Sequence, residues 1–210
     1  LSRQGGLLDV AVDLNFDNNN KIFLTASITS SDTGSNTALY SAILSNNKLS
    51  DLRLLYKALP DSTEERHFGG SILVTQEFVF FTIGDRGNRD VNPQSVSLDG
   101  GKVYRLNLDG SIPDSNPFYN VDSSKKAIWS YGHRNPQGII KVTRNVGVND
   151  YEIWIHEHGP RGGDEINIIK YPKKDEDPLK DRNYGWPKAT YGINYSGSEI
   201  TKNKKIRGSY

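Results

Sequence analysis

Four polar clusters in this sequence carry side chains that could do chemistry. The first is Arg66-His67-Phe68-Gly69-Gly70, a histidine beside paired glycines just ahead of an apolar run. An imidazole titrates near neutral pH and can act as a general base, while a lone histidine serves equally as a hydrogen-bonded structural group. The second, Gly84-Asp85-Arg86-Gly87-Asn88-Arg89-Asp90, is oxygen-rich like a calcium loop. It lacks the bidentate glutamate such a loop needs, which favours a turn satisfied by its own hydrogen bonds. The third is Ser130-Tyr131-Gly132-His133-Arg134-Asn135-Pro136-Gln137-Gly138. A planar, always-charged arginine beside Asn and Gln can hold a ligand's carboxylate and carbonyl oxygens through fixed donors. A loop pinned by its own hydrogen bonds has the same composition, so both readings stay open. The fourth runs from His156 to Glu165, HEHGPRGGDE. His156 and His158 fall on one face of a strand, as zinc ligands could. The Gly-Pro-x-Gly-Gly segment behind them exposes backbone carbonyls and ends in two carboxylates, and such oxygen donors suit Ca²⁺ better.

Short strands must position these clusters. Helical periodicity is scarce, whereas β-branched and aromatic runs bounded by Gly, Asn, Asp and Ser recur along most of the chain. Strands are predicted at Leu7–Leu14, Lys21–Thr29, Thr37–Leu44, Asp51–Leu59, Ser71–Thr75, Phe78–Gly84, Gly101–Leu108, Lys125–Tyr131, Gly138–Thr143, Tyr151–His156 and Glu165–Lys170. Three segments resemble one another: KIFLTASIT from Lys21, FVFFTIGD from Phe78 and EIWIHEHG from Glu152. Each is followed by a polar loop and a further strand, a repeat that suits the four-stranded blades of an all-β propeller. At ~40–50 residues per blade the chain supplies about four blades. A β-sandwich also has evenly spaced strands, but it does not explain long polar loops after equivalent strands.

With 210 residues, a net charge of +1 and no cysteine, the chain is expected to form one partial domain over residues 1–210. The near-zero charge gives nucleic acid and anionic lipid no attraction, and the longest apolar runs are far too short to span a membrane. The lack of cysteine excludes thiolate catalysis and cysteine-based metal sites. No Gly-x-Gly-x-x-Gly unit opens a helix, so a nicotinamide dinucleotide has no expected site. The absence of methionine marks the chain as processed or cut. The mixed-charge run Lys173–Arg182 reads as a solvated loop insertion, and Asn194-Tyr195-Ser196 fits a glycosylation sequon.

Taken in order, RQGGLLDVA, RHFGGS, SYGHRNPQG, HEHGPRGGDEINII, NYGWP at Asn183–Pro187 and GINYSG at Gly192–Gly197 resemble the soluble pyrroloquinoline quinone (PQQ) dependent aldose sugar dehydrogenases of the glucose/sorbosone dehydrogenase family. The resemblance covers nearly the whole chain. It implies a six-bladed β-propeller that uses PQQ and Ca²⁺ to oxidise the C1 hydroxyl of an aldose to a lactone. It further implies that His67 is the general base, that Arg134 and Asn135 hold the quinone, with Arg134 also balancing charge, and that Gln4 and Tyr195 line the cofactor and substrate pocket. The carbonyls of Gly159 and Pro160 would ligate the Ca²⁺ at the quinone. Glu165 and Tyr184, the tyrosine through its carbonyl, would ligate a second, structural Ca²⁺. The zinc reading of His156 and His158 then falls away.

By the same resemblance the partners are a sugar and an electron acceptor, and the location is periplasmic or secreted. The oligomeric state is not implied. Two features depart from the pattern. Ser71 stands where the family commonly has Arg after HFGG, and the chain stops at Tyr210, before the blades that bring basic residues to the cofactor's carboxylates. The chain alone is accordingly expected to be inactive. An alternative is a non-catalytic, calcium-stabilised propeller that acts as a binding module.

Overall fold

All the predicted strands form, with ends displaced by no more than a few residues. The computed structural model describes residues 3–31, 34–143, 151–172 and 175–200. Its strands are β1 (Leu7–Val12), β2 (Lys21–Ser31), β3 (Gly34–Ser45), β4 (Lys48–Lys57), β5 (Ile72–Val74), β6 (Phe78–Ile83), β7 (Lys102–Asn107), β8 (Ile128–Tyr131), β9 (Pro136–Thr143), β10 (Tyr151–Glu157) and β11 (Glu165–Lys170). One helical turn, α1 (Phe16–Asn19), links β1 to β2. The strands make three antiparallel meanders, β1-β2-β3-β4, β5-β6-β7-β8 and β9-β10-β11. The segments alike in sequence are β2, β6 and β10, the second strand of each sheet, so the repeat has a physical counterpart. Tight connections follow local chemistry: Asn46 and Asn47 both take positive φ between the paired residues Ser45 and Lys48, the two-residue turn whose twist matches a hairpin.

The middle sheet is buried on both faces, which explains the apolar run Phe78-Val79-Phe80-Phe81 of β6. Successive side chains of a strand point to opposite faces. Val79, Phe81 and Ile83 therefore join Phe23, Leu39 and Ala58 of the first sheet region in one core. Phe80 faces the other way and joins Trp129, Ile139, Ile153, Ile155 and Ile169 in a second core against the third sheet. Tyr104 and Val103 divide between the two cores in the same manner. Sheets stacked in this order, each a meander whose first strand lies beside the next sheet's first strand, are the blades of a β-propeller.

The described residues hold three sheets where chain length over blade period gives about four. The difference goes into the long connections 84–101 and 108–127 and into 171–200, which follow β6, β7 and β11 without adding a strand. Of these, 84–101 and 171–200 supply residues of the polar edge described below. Among the described residues no helix is long and apolar enough to cross a membrane. Lys173 and Lys174 of the charged run, the basic stretch Lys202–Arg207 and Tyr210 lie outside the described residues.

The two outer sheets each leave an apolar face open. Val10, Leu24, Tyr40 and Leu54 are cross-strand neighbours on one such face, with Val10 60% and Leu54 53% exposed. On the third sheet Ile140 and Ile166 are 57% and 71% exposed. Open apolar sheet faces favour association. Residues 1–210 expressed alone are expected to associate by light scattering, and Leu54→Lys with Ile166→Lys is expected to raise the monomer fraction. A monomer without those changes would contradict this.

Candidate active site

The segments that enter the first strand of each sheet converge. Gln4 precedes β1, His67 precedes β5, and Arg134 and Asn135 precede β9. Because β5 pairs antiparallel with β6, and β9 with β10, these entries lie at the same edge as the ends of β6 and β10, where Asp85 and His158 follow. Polar bonds tie one sheet's strand to the next sheet's entry. Thr25 of β2 donates its hydroxyl to the Gly70 carbonyl, and Thr82 of β6, at the matching place in the repeat, donates to the Pro136 carbonyl at 2.8 Å. Thr37 Oγ1 donates to the Phe68 carbonyl at 2.6 Å. Ser71 enters this scheme through its backbone, which exchanges bonds with Thr82. At the shared edge a cleft with about 170 Å³ of free volume is lined by Arg66, His67, Asp85, Gly87, Arg89, Arg134, Pro160, Trp186, Asn194 and Tyr195.

His67 is held from every side except one. Its φ of +56° is a conformation few side chains adopt, and it persists because neighbours over-determine it. The His67 amide donates to Gln4 Oε1 at 2.7 Å. Gly84 lies so close that a Cβ there would meet the His67 carbonyl oxygen at 2.2 Å, so only glycine fits. Arg86, fully buried, lays its guanidinium 3.4 Å over the Phe68 ring and donates to the carbonyls of Glu64 and Arg66. Burial pushes that guanidinium down to about 10, while Asp85, Glu64 and Asp61 pull the other way.

The imidazole Nδ1 lies 2.7 Å from Asp85 Oδ1. Asp85 is buried and carries two further donors, the Gly87 amide on Oδ1 at 2.8 Å and the Trp186 indole Nε1 on Oδ2 at 2.8 Å. A carboxylate accepts, so the proton of the neutral ring sits on Nδ1 and Nε2 is left with its lone pair. Nε2 has no hydrogen-bond partner among the described residues. The arrangement is a base oriented by a carboxylate, able to take a proton at Nε2 and stabilise the imidazolium formed. Asp85 is the residue that sequence reasoning missed. Its bond to the Gly87 amide is the self-satisfied turn read from the sequence, and the same oxygen also serves His67.

Arg134 stands across the cleft on a second buried carboxylate. Glu157 accepts from the backbone amides of Arg134 and Asn135, from Asn167 Nδ2 at 2.9 Å, and faces His133 Nδ1 at 3.0 Å. The Arg134 guanidinium donates to the His158 carbonyl at 2.8 Å and lies 5.5 Å from the Trp186 ring centre. Asn135 sits beneath the cleft rather than on its lining. Its Oδ1 accepts the Gly69 amide at 3.1 Å and its carbonyl accepts the His158 amide at 3.2 Å. Gln4 likewise supports the His67 backbone instead of lining the cleft. Tyr195 does line it, 74% exposed, and Asn194 Oδ1 accepts from Arg89 at 2.7 Å. The sequon asparagine is thereby engaged, with Nδ2 on Ser198.

Of the residues expected at metals, Pro160 lines the cleft and its carbonyl accepts the Gly163 amide at 2.9 Å. Gly159 packs so tightly on Gly163 that no side chain could replace its hydrogen. Glu165 lies opposite Glu157 across β10 and β11, and Asn167 Nδ2 bridges the two carboxylates. Burial first, then the charge of Glu157, pushes the Glu165 carboxyl up to about 7. Tyr184 stacks on His133 at 4.8 Å, the histidine that Glu157 faces, so Glu165, Glu157, His133 and Tyr184 form one contiguous group. Two crowded carboxylates fit a cation that would relieve their repulsion. Among the described residues no three His, Cys, Asp or Glu side chains converge as a metal site, and His156 and His158 are both exposed. A calcium site here would therefore rely on carbonyl oxygens beside Glu165.

Comparison with known proteins bears on the family and the fold. Residues 1–209 match the family described as Glucose / Sorbosone dehydrogenase. The chain is 40% identical to the aldose sugar dehydrogenase YliI of Escherichia coli (strain K12) over 206 residues, 96% of this chain and 51% of that protein. It is 30% identical to the quinoprotein glucose dehydrogenase B of Acinetobacter calcoaceticus over 234 residues, 97% of this chain and 45% of that protein. The crystal structure of the soluble E. coli aldose sugar dehydrogenase in its apo-form matches with a TM-score of 0.84 at 38% identity, over 99% of this chain and 57% of that one. The PQQ-bound aldose sugar dehydrogenase of Streptomyces coelicolor shares the fold, with a TM-score of 0.69 at 24% identity over 95% of this chain and 53% of that one. The chain thus spans about half the length of the curated relatives it matches. The match of residues 1–209, nearly the whole sequence, places this chain in the Glucose / Sorbosone dehydrogenase family.

Proposed function

We propose that this chain carries the cleft of a PQQ- and Ca²⁺-dependent aldose sugar dehydrogenase, which oxidises the C1 hydroxyl of an aldose to the lactone. The observation that carries the reading is the His67–Asp85 pair, whose partnerless Nε2 belongs to a cleft rimmed by the guanidinium groups of Arg66, Arg89 and Arg134. A tricarboxylate quinone fits such a rim. The relatives named as quinoprotein and aldose sugar dehydrogenases support the choice of cofactor and substrate. A pure binding module would have no task for an oriented base in its cleft.

His67 Nε2 takes the proton of the C1 hydroxyl, and Asp85 holds the imidazolium that results. Bound PQQ with Ca²⁺ would supply the two-electron chemistry that removes the C1 hydrogen. Arg134 carries positive charge to the place where negative charge develops, a task for a preorganised donor. The Arg134 side chain and Tyr195 are the proposed cofactor contacts, with Asn135 fixing the backbone beneath them and Gln4 supporting the base. The carbonyls of Gly159 and Pro160 would hold Ca²⁺ in the cleft, and Glu165 with the Tyr184 carbonyl would hold a structural Ca²⁺. The reading includes a periplasmic or secreted location and transfer of electrons to a separate acceptor, both taken from the family resemblance.

In the cofactor-loaded enzyme, His67→Gln is expected to leave PQQ binding intact and to lower kcat by roughly 10²- to 10⁴-fold, the usual general-base contribution. Arg134→Ala is expected to weaken both binding and turnover. Steady-state kinetics with an aldose panel and an artificial acceptor, beside a PQQ titration, measure both, and near-normal turnover of the His67 variant would sink the assignment.

The calcium reading has its own test. A cation that binds only the folded state stabilises it by mass action. Chelator is expected to lower the melting temperature by several degrees, with recovery in excess Ca²⁺, and Glu165→Gln is expected to remove that response. An unchanged melting temperature would leave Glu165 as a plain buried carboxyl.

A further inference from the structure

We propose that Trp186 is a positioning residue for the base: its indole N–H fixes the Asp85 carboxylate and, through it, the orientation and tautomer of His67. The proposal rests on the reading of His67 as the base for its kinetic consequence only. Its structural content stands on the geometry around Asp85. The two oxygens of that carboxylate are divided between different tasks. Oδ1 faces His67 Nδ1 and accepts the Gly87 amide, while Oδ2 accepts Trp186 Nε1 at 2.8 Å. With both oxygens held, the carboxylate plane cannot rotate. Without the indole donor, Oδ2 is a buried acceptor short of a partner, and rotation or an entering water would relieve it at the expense of the imidazole bond.

Trp186 is itself held firmly enough to do this. It is 6% exposed. Its amide donates to the Gly132 carbonyl at 2.9 Å, and its carbonyl accepts Gln94 Nε2 at 2.7 Å. Gln94 and Asn183 exchange side-chain amide bonds at 3.0 and 3.1 Å, which fastens the Asn183–Pro187 turn to the connection that carries Asp85. Gly132, at φ +79°, leaves room for this turn, since a Cβ there would meet Asn183 Oδ1 at 2.3 Å. The indole therefore docks with its edge on Asp85 and the Arg134 guanidinium near its ring, so one side chain meets two of the charged groups of the cleft. An aromatic wall that only filled space would not need its one donor aimed at the carboxylate that orients the base.

The test removes the donor and keeps the ring. In the holoenzyme, Trp186→Phe, and replacement of Trp186 by 3-benzothienylalanine, which exchanges the indole N–H for sulfur at nearly constant shape, are each expected to lower kcat roughly 10-fold. The upper limit is the roughly 100-fold that a hydrogen bond to a charged group is worth. KM for the sugar and the PQQ affinity are expected to stay within about twofold of wild type for the sulfur isostere, whose wall is intact. In an Asp85→Asn background the same changes are expected to add little further loss, because Trp186 acts through that carboxylate. The cofactor-free protein supplies a readout independent of turnover: the low-field Nδ1–H proton resonance of His67, observed with labelled histidine, is expected to shift or broaden in both variants. Wild-type kcat in the isostere, full additivity with Asp85→Asn, or an unmoved Nδ1–H resonance would each overturn the proposal. His67→Gln with near-normal turnover would instead remove the base assignment, and the resonance would still decide whether Trp186 positions the ring.

Discussion

A buried polar group must find a partner, and at one edge of this propeller that requirement holds the sheets together. Thr25 and Thr82 occupy matching places in the repeat, and each gives its hydroxyl to a backbone carbonyl in the segment that enters the next sheet. Ser27 Oγ within β2, and Asp85 and Glu157 at or just past the ends of β6 and β10, accept from the entering segments, from Gly6, His67 and the amides of Arg134 and Asn135 in turn. Apolar burial alone would let the blades slide. The polar bonds set each entry segment at one height, so side chains drawn from separate blades meet.

The cleft follows from that alignment. His67 and Arg134 start equivalent strands of neighbouring sheets, each backed by a carboxylate from the second strand of its own sheet or the turn beyond it. The two carboxylates do different work. Asp85 touches the imidazole side chain and so bears on proton transfer, whereas Glu157 takes the Arg134 backbone and leaves the guanidinium free to reach the cleft, braced on the His158 carbonyl. Glu157 also crowds Glu165, which links the cleft to the proposed calcium position through a single side chain. The same residue thus ties the proposed calcium position to the placement of a charged group in the cleft.

Lys102 shows how far the structure goes to keep the connection 84–101 in place. Its amine is buried and donates to the carbonyls of Asn92, Pro93 and Gly100, closing the base of the connection that carries Asp85 and Arg89. Burial pushes the amine down to about 7, with Asp99 and Asp85 pulling the other way. Asn92 in turn donates to the Asp85 carbonyl at 3.0 Å. A long connection without secondary structure is normally mobile, and here internal donors replace the missing strand ladder.

Strand positions were legible in the sequence because burial on one face or two imposes a period that local composition records. FVFFTI is apolar but for Thr82 because β6 is covered on both sides. His67, Arg134 and the Gly-Pro-x-Gly-Gly turn stood out because their motifs resemble a known family. Asp85 and Trp186 did not stand out, and neither did the supporting places of Gln4 and Asn135. GDRGNRD has the composition of any tight turn, and the Trp of NYGWP lies 101 residues from the carboxylate it meets. Local sequence records what a residue needs from its neighbours along the chain. Which carboxylate meets the His67 ring, and which indole meets that carboxylate, depends on how separate blades stack, and only the tertiary structure decides that.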